Sequence, residues 1–292
     1  MFGWTLDEER SFAVLDAYVA AGGNFIDTAD VYGRRGPEGA GSSEAIIGRW
    51  LASRGNRDEL VIATKVGMSP DPPGLSDAAI TQGIAGSLER LGIDCVDLYY
   101  AHRDDPGTPL EETLGAFGRL MGEGKIRHAA ASNYSAERLR EALRIGEREG
   151  MASYVALQPE YNLLERDGYE GELQEVCVEH GLTCLPFYGL AKGFLTGKYR
   201  EGGAEIDSPR AAAVRAAYFN ERGFAVLDAL DGVAAAHSSS VAAVALAWLA
   251  AQPTVLAPLA SATSPGQLAE LMASAELRLS EDELARLSAA SG

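Results

Sequence analysis

Short apolar runs recur along this chain roughly every 25 to 40 residues, and most of them stop at a polar residue. They are Asn24–Asp27, Leu60–Thr64, Val96–Ala101, Ile126–Ala131, Tyr154–Gln158, Leu182–Phe187 and Val255–Leu259. Runs this short and this apolar on both faces predict parallel strands covered by helices. Helical patterns lie between them. Ser76 reads as an N-cap, and Ile80, Ile84, Leu88 and Leu91 then fall on one face at spacings of four, four and three. Ser135 caps a second helix with Leu139, Leu143 and Ile145 inside it. Alternation of strands and helices predicts βαβ units and an α/β fold, here a (β/α)₈ TIM barrel as a single domain over residues 1–292.

One strand is short of that barrel. The chain opens almost directly into a helix predicted over Glu8–Ala21, where a first strand should precede it. Three readings stand: the first strand lies before Met1, Met1–Thr5 is its vestige, or the sheet is left open. An open sheet would expose two edges. The stretch Arg200–Ser240, rich in Gly, Ala and charge, is expected to be a surface excursion plus a helix within the same domain.

Composition narrows the setting. Apolar residues make up 47% of the chain, enough for a sizeable core. Lys and Arg number 25 against 42 Asp and Glu, and the formal charge of −17 argues against nucleic-acid or anionic-membrane partners. No apolar run approaches the roughly 20 residues of a membrane span, and Met1-Phe-Gly-Trp-Thr-Leu-Asp-Glu-Glu lacks a basic signal segment. The three cysteines, Cys95, Cys177 and Cys184, have no metal-like spacing and read as reduced thiols. The expectation is a cytoplasmic enzyme without a metal.

The chemistry sits where three successive strands stop. Asp27 ends the first visible run, Tyr32 follows five residues later, Lys65 ends the next and His102 the third. In a parallel barrel this edge carries the active site. Reducing a carbonyl requires a hydride donor and a proton for the developing alkoxide. A tyrosine with the usual pKa of about 10 is a weak acid at neutral pH. A neighbouring lysine cation would stabilise the phenolate, a carboxylate would anchor the lysine, and a histidine would orient the carbonyl. Singly, each residue has a plainer reading as a cap, a loop aromatic, a solvated charge or a satisfied polar group. Their order and register together do not.

These segments resemble the aldo-keto reductase superfamily over almost the whole chain. Gly22-Gly-Asn-Phe-Ile-Asp27-Thr-Ala-Asp-Val-Tyr32-Gly with Ser43-Glu44-Ala-Ile-Ile-Gly48 is similar to the family's first signature. Glu123-Gly-Lys-Ile-Arg-His-Ala-Ala-Ala-Ser132-Asn133-Tyr-Ser, Gln158-Pro-Glu-Tyr161-Asn162-Leu-Leu-Glu-Arg166 and Leu190-Ala-Lys-Gly193-Phe-Leu-Thr-Gly197-Lys198-Tyr continue the series. The resemblance implies an NAD(P)(H)-dependent oxidoreductase acting on a small-molecule carbonyl substrate. Asp27, Tyr32, Lys65 and His102 would form its tetrad, with Tyr32 as proton donor. Ser132, Asn133 and Gln158 would hold the nicotinamide carboxamide, and Phe187 would stack on the ring. Gly189, Leu190 and Ala191 would bring backbone to the pyrophosphate, with Lys198 as a cation.

Ser261, Thr263, Gln267 and Glu270 align with the family's adenosine-phosphate loop and the helix after it. There the chain departs from pattern. Ser261 and Thr263 stand where an Arg or Lys often meets the 2′-phosphate, and Leu271 replaces a common Asn. NADP(H) is the expected cofactor, with NAD(H) left open, and the state is a monomer or a homo-oligomer. The runner-up reading is a non-catalytic cofactor-binding module resembling the β-subunits of potassium channels, or an N-terminally truncated inactive form. The complete tetrad favours turnover.

Overall fold

A computed structural model describes residues 1–204 and 206–292; Glu205, inside the predicted excursion, lies outside the described residues. In chain order the elements are α1 (Glu8–Ala20), β1 (Phe25–Asp27), α2 (Ser42–Arg54), β2 (Val61–Val66), α3 (Asp77–Leu91), β3 (Val96–Ala101), α4 (Leu110–Gly122), β4 (Ile126–Ser132), α5 (Ala136–Glu149) and β5 (Tyr154–Gln158). Then come α6 (Glu172–His180), β6 (Thr183–Cys184), α7 (Ala211–Tyr218), α8 (Glu221–Ala236), α9 (Val241–Ala250), α10 (Pro265–Met272) and α11 (Glu281–Ala290). The chain divides into two compact units, one of residues 1–158, 176–182 and 261–265, the other of 159–175, 183–260 and 266–292.

In the first unit β1 to β5 run parallel in sequence order. All six residues of β3 are buried, as a strand with helices on one face and side-chain layers on the other requires. The helices form where the caps predict. Ser76 Oγ accepts the amide of Ala79 at 3.3 Å at the start of α3, and Gly92, with φ of 65°, ends it. Ser135 accepts from Arg138 at 3.2 Å to start α5. Trp50, Ile84, Tyr99 and Phe117 pack without solvent contact in this unit. Burial of each contributes about 1.5–3 kcal/mol.

Register sets the site. Asp27 pairs with Ala63, Lys65 with Tyr100 and Ser132 with Gln158, so the ends of five strands arrive at one edge. Backbone bonds continue past the last rungs: Asp30 N donates to Lys65 O at 3.2 Å, and His102 N to Val66 O at 2.8 Å.

In the second unit α9 is apolar on every side, with Ala242 to Leu249 all buried, and Trp248 donates its indole hydrogen to Ser288 Oγ at 3.0 Å. Phe194 lies among the rings of Tyr199, Tyr218, Phe219 and Phe224.

Several expectations need correction. The run Leu182–Phe187 forms a strand only over Thr183–Cys184, because Pro186 has no amide to continue the ladder, although Phe187 bridges Glu160. Val255–Leu259 is reduced to one bridge between Val255 and Cys184, with Leu256 71% exposed. Met1–Thr5 is no strand: Met1 O accepts the amides of Trp4, Thr5 and Leu6, which closes a tight turn. The excursion carries two helices, α7 and α8, in place of one. The α/β class and the parallel sheet hold, with six strands, not eight, among the described residues. Among these residues no single helix is long and apolar enough to cross a membrane.

Candidate active site

Everything in the first unit's site turns on Lys65. Its side chain is fully buried at the end of β2, where an unpaired ammonium would be prohibitive. Three acceptors meet its three hydrogens: Asp27 Oδ2 at 2.5 Å, Thr28 O at 2.7 Å and Tyr32 Oη at 3.2 Å. The rings of Tyr32 and Tyr100 stand 4.6 and 5.8 Å from the nitrogen. Burial alone pulls the lysine's pKa down, but Asp27 and Tyr32 together outweigh it and the net shift is upward. Lys65 is a fixed cation.

Tyr32 is aimed by the loop after β1. Its carbonyl accepts the amide of Gly41 at 3.1 Å, and its own amide donates to Ala29 O at 3.0 Å. Gly33 next to it has φ of 88°, and a Cβ there would fall 1.9 Å from Ser42 Oγ. Only glycine fits this turn.

His102 follows β3 and lies edge-on to Tyr32, with ring centroids 5.8 Å apart. Burial above all, and then the charges of Lys65, Arg103 and Arg34, lower its pKa to about 3. The imidazole is therefore neutral at ordinary pH, and its Nδ1 finds no hydrogen-bond partner among the described residues.

Ser132 and Asn133 close β4, and Gln158 ends β5. Ser132 Oγ donates to Gln158 O at 2.8 Å. Asn133, held at φ of 55°, donates from Nδ2 to His102 O at 2.9 Å and to Ser132 Oγ at 3.0 Å. Gln158 Nε2 donates to Asp27 Oδ1 at 3.0 Å. The four tetrad residues and these three thus form one hydrogen-bonded and packed group. With both amide nitrogens engaged inside it, the amide oxygens of Asn133 and Gln158 are what a nicotinamide carboxamide would meet. Those oxygens are acceptors that fit the amide hydrogens of a carboxamide.

Phe187, Gly189, Leu190, Ala191 and Lys198 all lie in the second unit. Phe187 is half-buried with its ring 5.1 Å from that of Tyr188. A Cβ on Gly189 would press on Leu249 at 3.0 Å and Leu246 at 3.1 Å, so the glycine keeps this backbone close to α9. Tyr188, Ala191, Lys192 and Gly193 all have positive φ, and the amides of Ala191 and Gly193 close turns on Tyr188 O at 2.7 Å and Leu190 O at 2.8 Å. Lys198 Nζ lies 4.0 Å from where a Cβ of Gly193 would stand. Ser261 and Thr263 precede α10, while Gln267 and Glu270 are exposed on it.

Some of the site escapes inspection of the sequence. The Thr28 carbonyl is a backbone acceptor that no side-chain pattern announces. Behind Lys65, the fully buried Glu44 accepts from Thr64 Oγ1 at 2.5 Å and Arg90 Nε at 2.8 Å. Asp30 beside them is 9% exposed, and burial first and Glu44 second push its pKa up to about 7. Ser43-Glu44 at the start of α2 look like ordinary cap residues, which hides this cluster.

The family model described as "Aldo/keto reductase family" matches residues 1–291. The chain is 34% identical over 285 residues to aldo-keto reductase str7 of Strobilurus tenacellus, covering 96% of this chain and 80% of that protein. It is 34% identical over 282 residues to a probable voltage-gated potassium channel subunit beta of Oryza sativa subsp. japonica, covering 93% and 83% of the two chains. A third relative is the NADP(+) aldo-keto reductase yakc of Schizosaccharomyces pombe, 32% identical over 291 residues, with 94% and 80% covered.

Proposed function

Because the chain belongs to the aldo/keto reductase family, we propose that it is an NADP(H)-dependent oxidoreductase that reduces aldehydes or ketones to alcohols. The proposal covers residues 1–292 as one catalytic domain in the family's eight-stranded barrel frame. The observation that carries it is the Lys65 ammonium joined to both Asp27 Oδ2 and Tyr32 Oη. The nicotinamide supplies the hydride when bound. Ser132, Asn133 and Gln158 would hold its carboxamide, Phe187 its ring face, and Gly189, Leu190, Ala191 and Lys198 its pyrophosphate. Ser261, Thr263, Gln267 and Glu270 would meet the adenosine phosphate.

The chain's own residues handle the proton. The Tyr32 hydroxyl gives its hydrogen to the carbonyl oxygen as negative charge develops there, and Lys65 steadies the phenolate left behind. Asp27 keeps the lysine in place. Neutral His102 orients the carbonyl by a hydrogen bond without competing for the proton.

Loss of NADPH absorbance with 4-nitrobenzaldehyde tests this reading. Tyr32→Phe should bind NADPH about as tightly as the parent chain while losing roughly 10²–10⁴-fold in kcat, the usual worth of a general acid. A variant keeping more than about a tenth of the rate removes Tyr32 from the role. Similarity to a potassium channel subunit beta favours a second reading, a cofactor-binding module without turnover. NADPH binding with no consumption of any reactive aldehyde by the parent chain would select it.

A further inference from the structure

Two arginines stand near the tetrad with no carboxylate at ion-pair distance among the described residues. Arg34 follows Tyr32 by two residues, and Arg103 follows His102 directly. The Tyr32 and His102 rings are 5.8 Å apart, so the loops carrying both guanidiniums converge on one place. Both arginines are exposed. Among the described residues neither makes a side-chain hydrogen bond or an ion pair. The chain carries 42 acidic residues against 25 basic ones, so acids are not scarce.

Acids lie nearby but have other partners. Asp104 binds the Arg138 guanidinium, at 3.0 Å from its Nε. Asp105 accepts the amides of Leu75 at 2.8 Å and Gly107 at 3.1 Å and the Thr108 hydroxyl at 2.7 Å. Glu38, beyond Arg34, faces Arg49 at 3.9 Å. The local structure hydrogen-bonds Asp104 and Asp105 to other donors; Arg103 acts on Asp105 by charge alone, and neither guanidinium has a side-chain hydrogen bond among the described residues. Both are close enough to act on the His102 imidazole electrostatically.

We propose that Arg34 and Arg103 select carbonyl substrates that carry a carboxylate remote from the reacting carbonyl. The proposal rests on the reductase reading and gives that site its substrate class. A guanidinium matches a carboxylate in shape and charge, and it holds that charge at every working pH. The −17 of the whole chain repels anions at a distance, but a Debye length of about 8 Å at physiological salt leaves the nearest cations in control at the site. The plainer account is that both arginines are solvated charges that keep His102 neutral. On that account neither would discriminate between substrates.

The test compares kcat/KM for 4-carboxybenzaldehyde and its neutral methyl ester, in the parent chain, Arg34→Gln, Arg103→Gln and the double variant. The parent chain should prefer the carboxylate. Each single variant should reduce that preference by about tenfold, the worth of one charge-assisted hydrogen bond, with the loss falling in KM for the carboxylate. Arg103→Glu should turn the preference toward 4-(trimethylammonio)benzaldehyde. A parent ratio near one, or a ratio unchanged in the double variant, overturns the proposal. If no aldehyde is turned over, the reductase reading fails by itself. Calorimetric binding of 4-carboxybenzaldehyde then decides the arginines' role: equal affinity in the parent chain and the double variant overturns it.

Discussion

Gln158 donates its amide hydrogen to Asp27 Oδ1 at 3.0 Å, across 131 residues of sequence. The other oxygen of Asp27 belongs to Lys65, so each oxygen of this carboxylate has its own donor. The residue expected to grip the nicotinamide thus also aims the tetrad. Gln158→Leu should lower both turnover and NADPH affinity, each by about tenfold, the scale of one lost charged hydrogen bond. Gln158→Glu is sharper. It sets a second carboxylate against Asp27, which should be worse at pH 8 than at pH 5, where a protonated glutamic acid can still donate. Steady-state kinetics at the two pH values check this, and a deficit independent of pH argues against the contact.

Lys65→Met separates stability from chemistry. Breaking a buried ion pair from one side leaves an uncompensated charge, with a typical cost of about 3–5 kcal/mol. Asp27 keeps its bond to Gln158 but loses the cation. Adding Asp27→Asn should recover much of the stability, measured by urea unfolding, and none of the activity. Recovery of both would mean that the lysine serves only the fold.

How much was legible follows from what each feature depends on. The strands Phe25–Asp27 and Val96–Ala101 and the capped helices at Ser76 and Ser135 rest on local pattern, and they form where it predicts. Asp27, Lys65 and His102 stand out in the sequence as polar residues where apolar runs stop, and Tyr32 only as the phenol in the loop after Asp27. The end of the chain misleads for the converse reason. Val255–Leu259 has the apolar look of a strand, but Pro258 has no amide and Leu256 is exposed. The buried Asp30 and Glu44, with the partly exposed Arg90, were illegible because their surroundings are set by α2 and α3, remote in sequence from β2. Nor does sequence reveal that Asp104 and Asp105 take their hydrogen bonds from donors other than Arg103.

Thr263→Arg tests the adenosine-phosphate assignment. Thr263 is half-buried on the coil just before α10. A guanidinium there would offer a bidentate contact to a 2′-phosphate that a hydroxyl cannot match. NADPH affinity should rise by about tenfold relative to NADH, each measured by fluorescence titration. An unchanged NADPH/NADH ratio would put the 2′-phosphate elsewhere.

Asp30 and His102 should give the chain opposite pH dependences, and one substitution isolates the first. His102 titrates at about 3 when folded, against an ordinary 6.5. Below 6.5 the unfolded chain therefore takes up a proton that the folded chain refuses, and stability is lost as pH falls toward 3. Asp30 runs the other way. Its folded value of about 7 lies above the ordinary 3.8, because burial, and next the charge of Glu44, penalise the carboxylate more than Arg90 and Lys65 relieve it. Between these values the folded chain holds a proton that the unfolded chain has released. Stability from this group is then present below 3.8 and lost as pH rises through 7. The full difference corresponds to at most on the order of 4 kcal/mol, reduced by relaxation and water entry. Asp30→Asn abolishes this group's dependence while leaving that of His102 in place. Urea unfolding should find the variant gaining on the parent chain by about 1–3 kcal/mol between pH 5 and pH 8. A difference between the two chains that stays constant over that range would show that Asp30 ionises as an ordinary carboxylate, and that the cluster behind Lys65 is already paired in charge.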